Sequence, residues 1–415
     1  MTKAPRLRHR YTRKPNLAEV KTAGHDTLRL VNRRILLSLI SDRQPISRAE
    51  IAKVSGLNKA TVSTITNELL KDRYVIETGG GKTTPSGGKP PTPLRINEQR
   101  YGLFGLDIRA EETILALSNF NGHIVARHSF KTGANPTTFL RHLGEEITRL
   151  RAQHREFTEI AGIGISMPGL VDSFSGKFLM SVVLPWRDVP VVELLEQATG
   201  LHTIMDTSAR CAALAEIWYG KTRYEHVRNL LYVSVSSGLS CGVVIDGGLY
   251  RGFHNTAGQF GHFPIDLNGP ECRCGMRGCW DLFASDKATV ARYEELSKTV
   301  RTTRKPGASK LNMRRVVELV ESGDTAAMQA VRTTAKYLGL GITGLVNGLD
   351  PEEVVIGGEI TKAWGLIEPI ILAEVQRNLR AREVVVRRSS FEVRPTLKGA
   401  LTLILNELLS VPQVG

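Results

Sequence analysis

Residues 46–75, ISRAEIAKVSGLNKATVSTITNELLKDRYV, leave few folds open. Ser47 with Glu50 three residues later has the pattern of a capping box at the head of a short helix. Ala52 is small where two helices would cross closely, Gly56 supplies a tight turn, and Val62 and Ile65 face the next helix inward. That order of features predicts a helix-turn-helix rather than an ordinary helical hairpin. The second helix is expected to begin near Asn58 and to expose Asn58, Lys59, Thr61 and Ser63. With Ser47 and Thr64 they form a set of short polar and cationic side chains suited to base edges and phosphates in a major groove. Upstream, LRLVNRRILLSLI spaces Leu30, Ile35, Leu36, Leu39 and Ile40 along one helical face. Downstream, YVIETGGGKTTPSGGKPPTPLRIN reads as strand, glycine-rich turn and strand, with Lys82 and Lys89 in or beside the turn. Together these predict a winged helix-turn-helix over residues 25–96.

Charge supports a nucleic-acid partner for this segment. Residues 1–96 carry 19 Lys+Arg against 7 Asp+Glu, whereas the remaining residues carry 36 against 34. Nearly all of the net +14 therefore sits in the first quarter of the chain, the footprint of a polyanion-binding module ahead of a near-neutral body. Residues 1–24, with seven Lys/Arg and one acid, read as a basic arm that can lie along phosphates. No apolar run approaches the roughly 20 residues needed to span a bilayer. The basic N-terminus has no apolar stretch behind it, so a secretory signal is not expected. Five cysteines, three of them within ECRCGMRGCW, do not make a disulfide framework. The C-x-C-x4-C spacing looks instead like part of a metal site in a reducing, cytoplasmic setting.

From Tyr101 the texture is α/β. GLFGLDI, ETILALSNF and HIVARHSF read as strands, a helix follows from about Thr138 to Gln153, and IAGIGIS is a further strand. LLYVSVSS, CGVVIDG and EEVVIGGEI repeat the style, which predicts two α/β lobes with a cleft between them.

GIGISMPGLVD, LPWRDVPVVELLEQATGL, SSGLSCGVVIDGGLYRG, AGQFGHFPIDLNGPECRCGMRGCW and VVIGGEI, taken in order, resemble the ROK family of repressors and sugar kinases. With the winged helix in front, the chain is similar to that family's transcriptional regulators of the xylose and N-acetylglucosamine types. The resemblance implies an actin-like, sugar-kinase-like body over 97–415. Lobe one would take about 97–221 plus the C-terminal helix from about 396, and lobe two about 222–395.

Family kinases carry D-x-G-G-T after the first strand, and here Asp107 is followed at the matching positions by Arg109, Ala110 and Glu111. A carboxylate and side-chain bulk there disfavour nucleotide phosphates. The kinase N-D-A-N segment corresponds to Thr207, Ser208, Ala209 and Arg210. Ser208 cannot act as the general base that the aspartate supplies, Asp206 is expected to aim elsewhere, and Thr207 and Ser208 read as helix N-capping residues. The Gly-Gly of IGGEI reads as a tight strand-to-helix turn. Catalysis is not expected.

The resemblance further implies that His262 joins Cys272, Cys274 and Cys279 as the ligands of a closed, structural Zn2+. Cys211 and Cys241 read as core residues. By the same resemblance, Gly169, Thr207, Ser208, Gln259, His262 and Asp281 would line an effector site, less acidic than the family pattern. These observations predict a regulator, a repressor of carbohydrate genes, acting as a homodimer or homotetramer on operator DNA and controlled by a sugar or sugar-derived effector. The alternatives are a sugar kinase with an appended DNA-binding domain and a regulator controlled by a protein partner.

Overall fold

A computed structural model describes residues 25–79, 92–221, 227–299, 311–378, 383–391 and 394–409. Two compact units emerge, one reaching to Asn97 and including the chain from Glu407, the other Glu98–Asn406.

The first unit holds α1 (His25–Arg43), β1 (Ile46–Ser47), α2 (Arg48–Ser55), α3 (Lys59–Lys71), β2 (Val75–Glu77) and β3 (Pro93–Ile96). The three strands form one antiparallel sheet in the order β1-β3-β2. Ser47 caps α2 in a reciprocal capping box with Glu50, and Gly56 ends the helix in the left-handed conformation at φ 72°. Asn58 then caps α3 by accepting from the Thr61 N–H at 2.8 Å. Ile51, Val62, Ile65 and Leu69 close the core against Leu36, Leu37 and Ile40 of α1. The face expected of α1 is therefore rotated: Leu37 is buried, Ile35 and Leu39 are half-buried, and Leu30 is exposed. The β1–β3 pairing places sheet residues such as Ile46 and Leu94 in the core as well, and an α1-only periodicity does not register them.

The second unit contains the same sheet twice. β4 (Tyr101–Ile108), β5 (Glu112–Asn119) and β6 (Ile124–Lys131) form a meander, and β7 (Glu159–Met167) and β11 (Thr203–Thr207) add in parallel on the other side of β4. β12 (Leu230–Val235), β13 (Leu239–Ile245) and β14 (Gly248–Leu249) form the second meander, extended in parallel by β15 (Glu353–Gly357) and β16 (Val385–Arg388). Helices supply the parallel crossovers. They are α4 (Pro136–Gln153) and α5 (Val191–Thr199) in the first half and α10 (Thr325–Leu349) and α11 (Trp364–Asn378) in the second. A small sheet of β8 (Leu170–Asp172), β9 (Lys177–Met180) and β10 (Arg187–Val189) follows β7. α7 (Asp281–Ala284), α8 (Asp286–Thr299) and α9 (Met313–Glu321) lie between β14 and α10 in sequence.

Each half ends in a helix, α6 (Ser208–Tyr219) and α12 (Pro395–Leu409), and these two meet. The contact needs glycine: a Cβ on Gly399 would fall 1.8 Å from the Cys211 carbonyl oxygen. On its other face α6 lies against β13, where a Cβ on Gly242 would sit 2.3 Å from the Ala209 oxygen. The small residues of CAALA let α6 fit between α12 and the second sheet, and Cys211, Ala212 and Ala213 are wholly buried. The C-terminal ends of the parallel strands of both sheets then face one cleft, where ligands bind in open α/β sheets.

Candidate functional site

The exposed surface of α3 carries Lys59, Ala60, Thr64, Asn67 and Lys71, with Thr61 and Ser63 half-buried at its margin. Asn58 is exposed but commits its side-chain oxygen to the cap. Ser47 departs from its expected place. Only 6% exposed, its hydroxyl donates to Glu50 at 2.7 Å, so it builds the head of α2 rather than facing outward. Bonds from the Ser47 backbone N–H and hydroxyl hold the Glu50 carboxyl below its ordinary range. Lys82, Lys89 and the arm 1–24 lie outside the described residues. Ala60 and Asn67 were missed in sequence, although their spacing from Thr64 was visible. Arg48, on α2, donates to Asn67 at 3.4 Å and pairs with Glu77 of β2 at 2.8 Å.

In the second unit, His262, Cys272, Cys274 and Cys279 bring one ligand atom each within 4.8 Å of one another. Backbone bonds shape the loop: Cys272 N–H donates to Met276 O at 2.7 Å and Gly275 N–H to Cys272 O at 2.9 Å. Gly278 at φ 63° lets the chain return against Asp266. A tetrahedral ion with bonds of about 2.3 Å to sulfur and about 2.0 Å to nitrogen needs S···S edges of about 3.8 Å and S···N edges of about 3.5 Å. The Cys274–Cys279 sulfurs are 3.5 Å apart, and Cys272 Sγ is 3.6 Å from His262 Nδ1. Donor set and spacing both fit a closed four-ligand metal site. Burial, then the neighbouring thiols, push Cys279 up to about 12. Cys211 and Cys241 lie apart in the core, and burial raises both thiols.

A cleft of about 1960 Å³ runs along this wall. It gathers all six residues expected at an effector site, Gly169, Thr207, Ser208, Gln259, His262 and Asp281. Gly169 turns at φ 108° beside Met180 and Ser181. Thr207 caps α6 through the Arg210 N–H, and Ser208 Oγ accepts from Ser166 at 3.2 Å. Asp281 accepts from the Leu239 N–H, so one of its oxygens is already engaged; burial raises its carboxyl. With Nδ1 of His262 turned toward Cys272, Nε2 is the ring nitrogen left for a ligand.

At the far end of the cleft, Arg109 Nε donates to the wholly buried Asp107 at 2.8 Å and its Nη2 to Thr396 at 2.9 Å. Arg394 pairs with Glu112 and stands 3.7 Å from Asp107. Two guanidinium groups thus approach one oxygen, Oδ2, of the β4 carboxylate.

Asp286, also on the cleft, is raised to about 7 by burial and then by Glu359, and its Oδ1 has no hydrogen-bond partner. A folded pKa above the unfolded value means that the folded state holds the extra proton. Stability should therefore fall as pH rises from about 4 to about 7 and level off above. Asp286→Asn should raise the melting temperature by about 2 °C or more at pH 8 and leave it unchanged at pH 4, read by thermal melts at both pH values.

A two-lobed body of this kind, with duplicated sheets around a ligand cleft, is the sugar-kinase-like class of fold. The ROK family pattern matches residues 103–407, and the chain belongs to the ROK family. It is 32% identical over 400 residues to the xylose repressor of Caldicellulosiruptor bescii, covering 94% of this chain and 99% of that protein. The crystal structure of a ROK family transcriptional regulator, a homolog of the E. coli MLC protein, superposes with a TM-score of 0.81 at 24% identity, covering 92% of this chain and 98% of that one. The ROK hexokinase of Thermus thermophilus gives a TM-score of 0.60 at 26% identity and covers 72% of this chain and 96% of its own. The kinase likeness is thus confined to about three-quarters of the chain, while the regulators match nearly all of it.

Proposed function

We propose that this protein is a sugar-responsive, DNA-binding transcriptional repressor that performs no phosphoryl transfer. The observation that carries the reading is a single chain joining the capped α2–turn–α3 unit, with its exposed polar face on α3, to a cleft whose first-strand carboxylate is engaged by Arg109. Similarity to repressors along nearly all of the chain supports it, as does the named sugar of the Caldicellulosiruptor protein.

In this reading Lys59, Thr61, Ser63, Thr64 and Asn67 face the major groove, and the basic arm, Lys82 and Lys89 add phosphate contacts. A symmetric oligomer would place two α3 helices on a pseudo-palindromic operator. His262, Cys272, Cys274 and Cys279 hold a structural zinc, which cross-links the loop and supplies no open coordination position. Thr207, Ser208, Gln259, His262 and Asp281 offer hydroxyl, amide, imidazole and carboxylate groups to a polyhydroxylated ligand. Arg109 occupies the place where a kinase would admit phosphate and its metal, and Ser208 offers no base. A cytoplasmic location goes with operator binding; among the described residues no helix is long and apolar enough to cross a membrane.

The test is operator binding by fluorescence anisotropy on DNA from the gene's own promoter, with and without a panel including D-xylose and N-acetylglucosamine. Lys59→Ala with Thr64→Ala should weaken binding by roughly 10-fold to 100-fold, since a base contact contributes about 1–3 kcal/mol. An unchanged affinity rejects α3 as the reading helix. Sugar phosphorylation by pure protein and ATP would reject the non-catalytic reading.

A further inference from the structure

One buried cation beside the cleft belongs to a residue that neither the metal site nor the effector set uses. Arg210, in the first turn of α6, is 1% exposed. Its Nη1 donates to Asp206 Oδ1 at 2.9 Å, and its Nη2 donates to the backbone oxygens of Asn255 at 2.6 Å and Ala257 at 2.9 Å. Asp206, wholly buried at the end of β11, takes Arg251 on its other oxygen, from Nε at 2.9 Å and Nη2 at 2.7 Å. Asn255, 2% exposed and held at φ 58°, donates from Nδ2 to Asp172 of β8 at 2.9 Å.

Five bonds therefore fasten one segment, 251–257: two from Arg210 of α6, two from Arg251 onto Asp206 of β11, and one from Asn255 onto Asp172 of β8. That segment leaves the second sheet after β14 and runs directly into Gln259 and His262. The same Arg210 N–H is capped by Thr207, beside Ser208. One guanidinium thus stands between the two walls of the cleft, with Thr207 and Ser208 on one side and Gln259 and His262 on the other.

We propose that Arg210 is a positioning residue of the ligand cleft: with Asp206 it holds segment 251–257, and through it Gln259 and His262, at a fixed distance from Thr207 and Ser208. A buried ion pair suits this role because its directional bonds tolerate one geometry, whereas apolar contacts would let the segment slide. The effect on ligand binding rests on the effector reading above; the tether itself does not.

Asp206→Asn with Arg210→Met removes both buried charges together and keeps the acceptor for the Thr207 N–H. Hydrogen exchange of the full-length protein should then show amides of 251–262 exchanging at least 10-fold faster, with β4, β7 and β12 unchanged. A folded double variant with parental exchange over 251–262 overturns the proposal. Arg251→Ala, at a side chain 31% exposed, removes the outer half of the clamp and is the safer variant for folding; it should raise the same amides at least 3-fold, and no rise overturns the proposal equally. Where the parent answers D-xylose or N-acetylglucosamine, both variants should need at least 10-fold more sugar while operator affinity in its absence stays within 2-fold. A parent that answers neither sugar counts against the effector reading alone, since the exchange arm reads the tether without ligand.

Discussion

Cys279→Ser should abolish stoichiometric zinc, from about one ion per chain to none after dialysis against a mild chelator, read by elemental analysis. Cys279 is wholly buried, 3.5 Å from the Cys274 sulfur, with its Sγ 3.3 Å from the His262 carbonyl oxygen. Serine offers a harder, poorer ligand on a shorter bond, and a closed site has no spare donor to replace it. Loss of an outer-shell partner alone weakens metal affinity by about 10-fold to 100-fold, and losing a first ligand should exceed that. The structural consequence follows from the neighbours. Trp280, adjacent in sequence, is wholly buried, with its indole N–H on the Tyr337 oxygen at 2.7 Å and its ring against Phe263. Losing the ion should therefore disturb the near-ultraviolet signal of that tryptophan and lower the melting transition of the Glu98–Asn406 unit. The helices of the other unit depend on their own caps and should keep their signal. Retained zinc in a folded variant would reject the ligand set.

The cysteine cluster was legible in sequence because its information is local: three thiols within eight residues and two turn glycines can do little else. The same holds for the capping box of Ser47 and Glu50, which spans four residues; Asn58, expected as an exposed contact residue, caps α3 instead. Strand runs such as GLFGLDI were visible as apolar segments bounded by turns, and the structure forms β4 there. What the sequence concealed depends on partners far along the chain. The buried face of α1 is set by α2, α3 and β3, which follow it in the chain, so periodicity alone chose Leu30 over Leu37. Asp206 was expected to aim elsewhere than a catalytic base would, and where it aims is decided by Arg210 and by Arg251, 45 positions on. Arg210 gave one faint signal, a charged residue opening the apolar stretch CAALA, and its meaning appears only once the Asn255 and Ala257 carbonyls are placed around it. Short-range chemistry reads directly from residue order, whereas networks of single charges require the fold.

Glu216→Ala should be the most damaging single change to the second unit. The Glu216 side chain has no solvent exposure and accepts four hydrogen bonds: Ser389 Oγ at 2.6 Å and Ser390 N–H at 2.8 Å on Oε1, and Arg387 Nη1 and Ser390 Oγ, each at 2.9 Å, on Oε2. Arg387 in turn donates from Nε to the buried Glu353 at 2.8 Å. The network ties α6 to the end of β16 and the chain leading to α12, where the two halves of the duplicated fold meet. Removing the carboxylate leaves Arg387 with half of its compensation and strands three further donors, a loss of about 3–5 kcal/mol for a broken buried pair. Glu216→Gln should cost less, because its carbonyl oxygen still accepts while its NH2 group faces donors rather than acceptors. Chemical denaturation should rank the parent above Glu216→Gln and Glu216→Ala last. If Glu216→Ala matched the parent within about 0.5 kcal/mol, the junction would be held by the close packing of α6 on α12 at Gly399 rather than by this carboxylate.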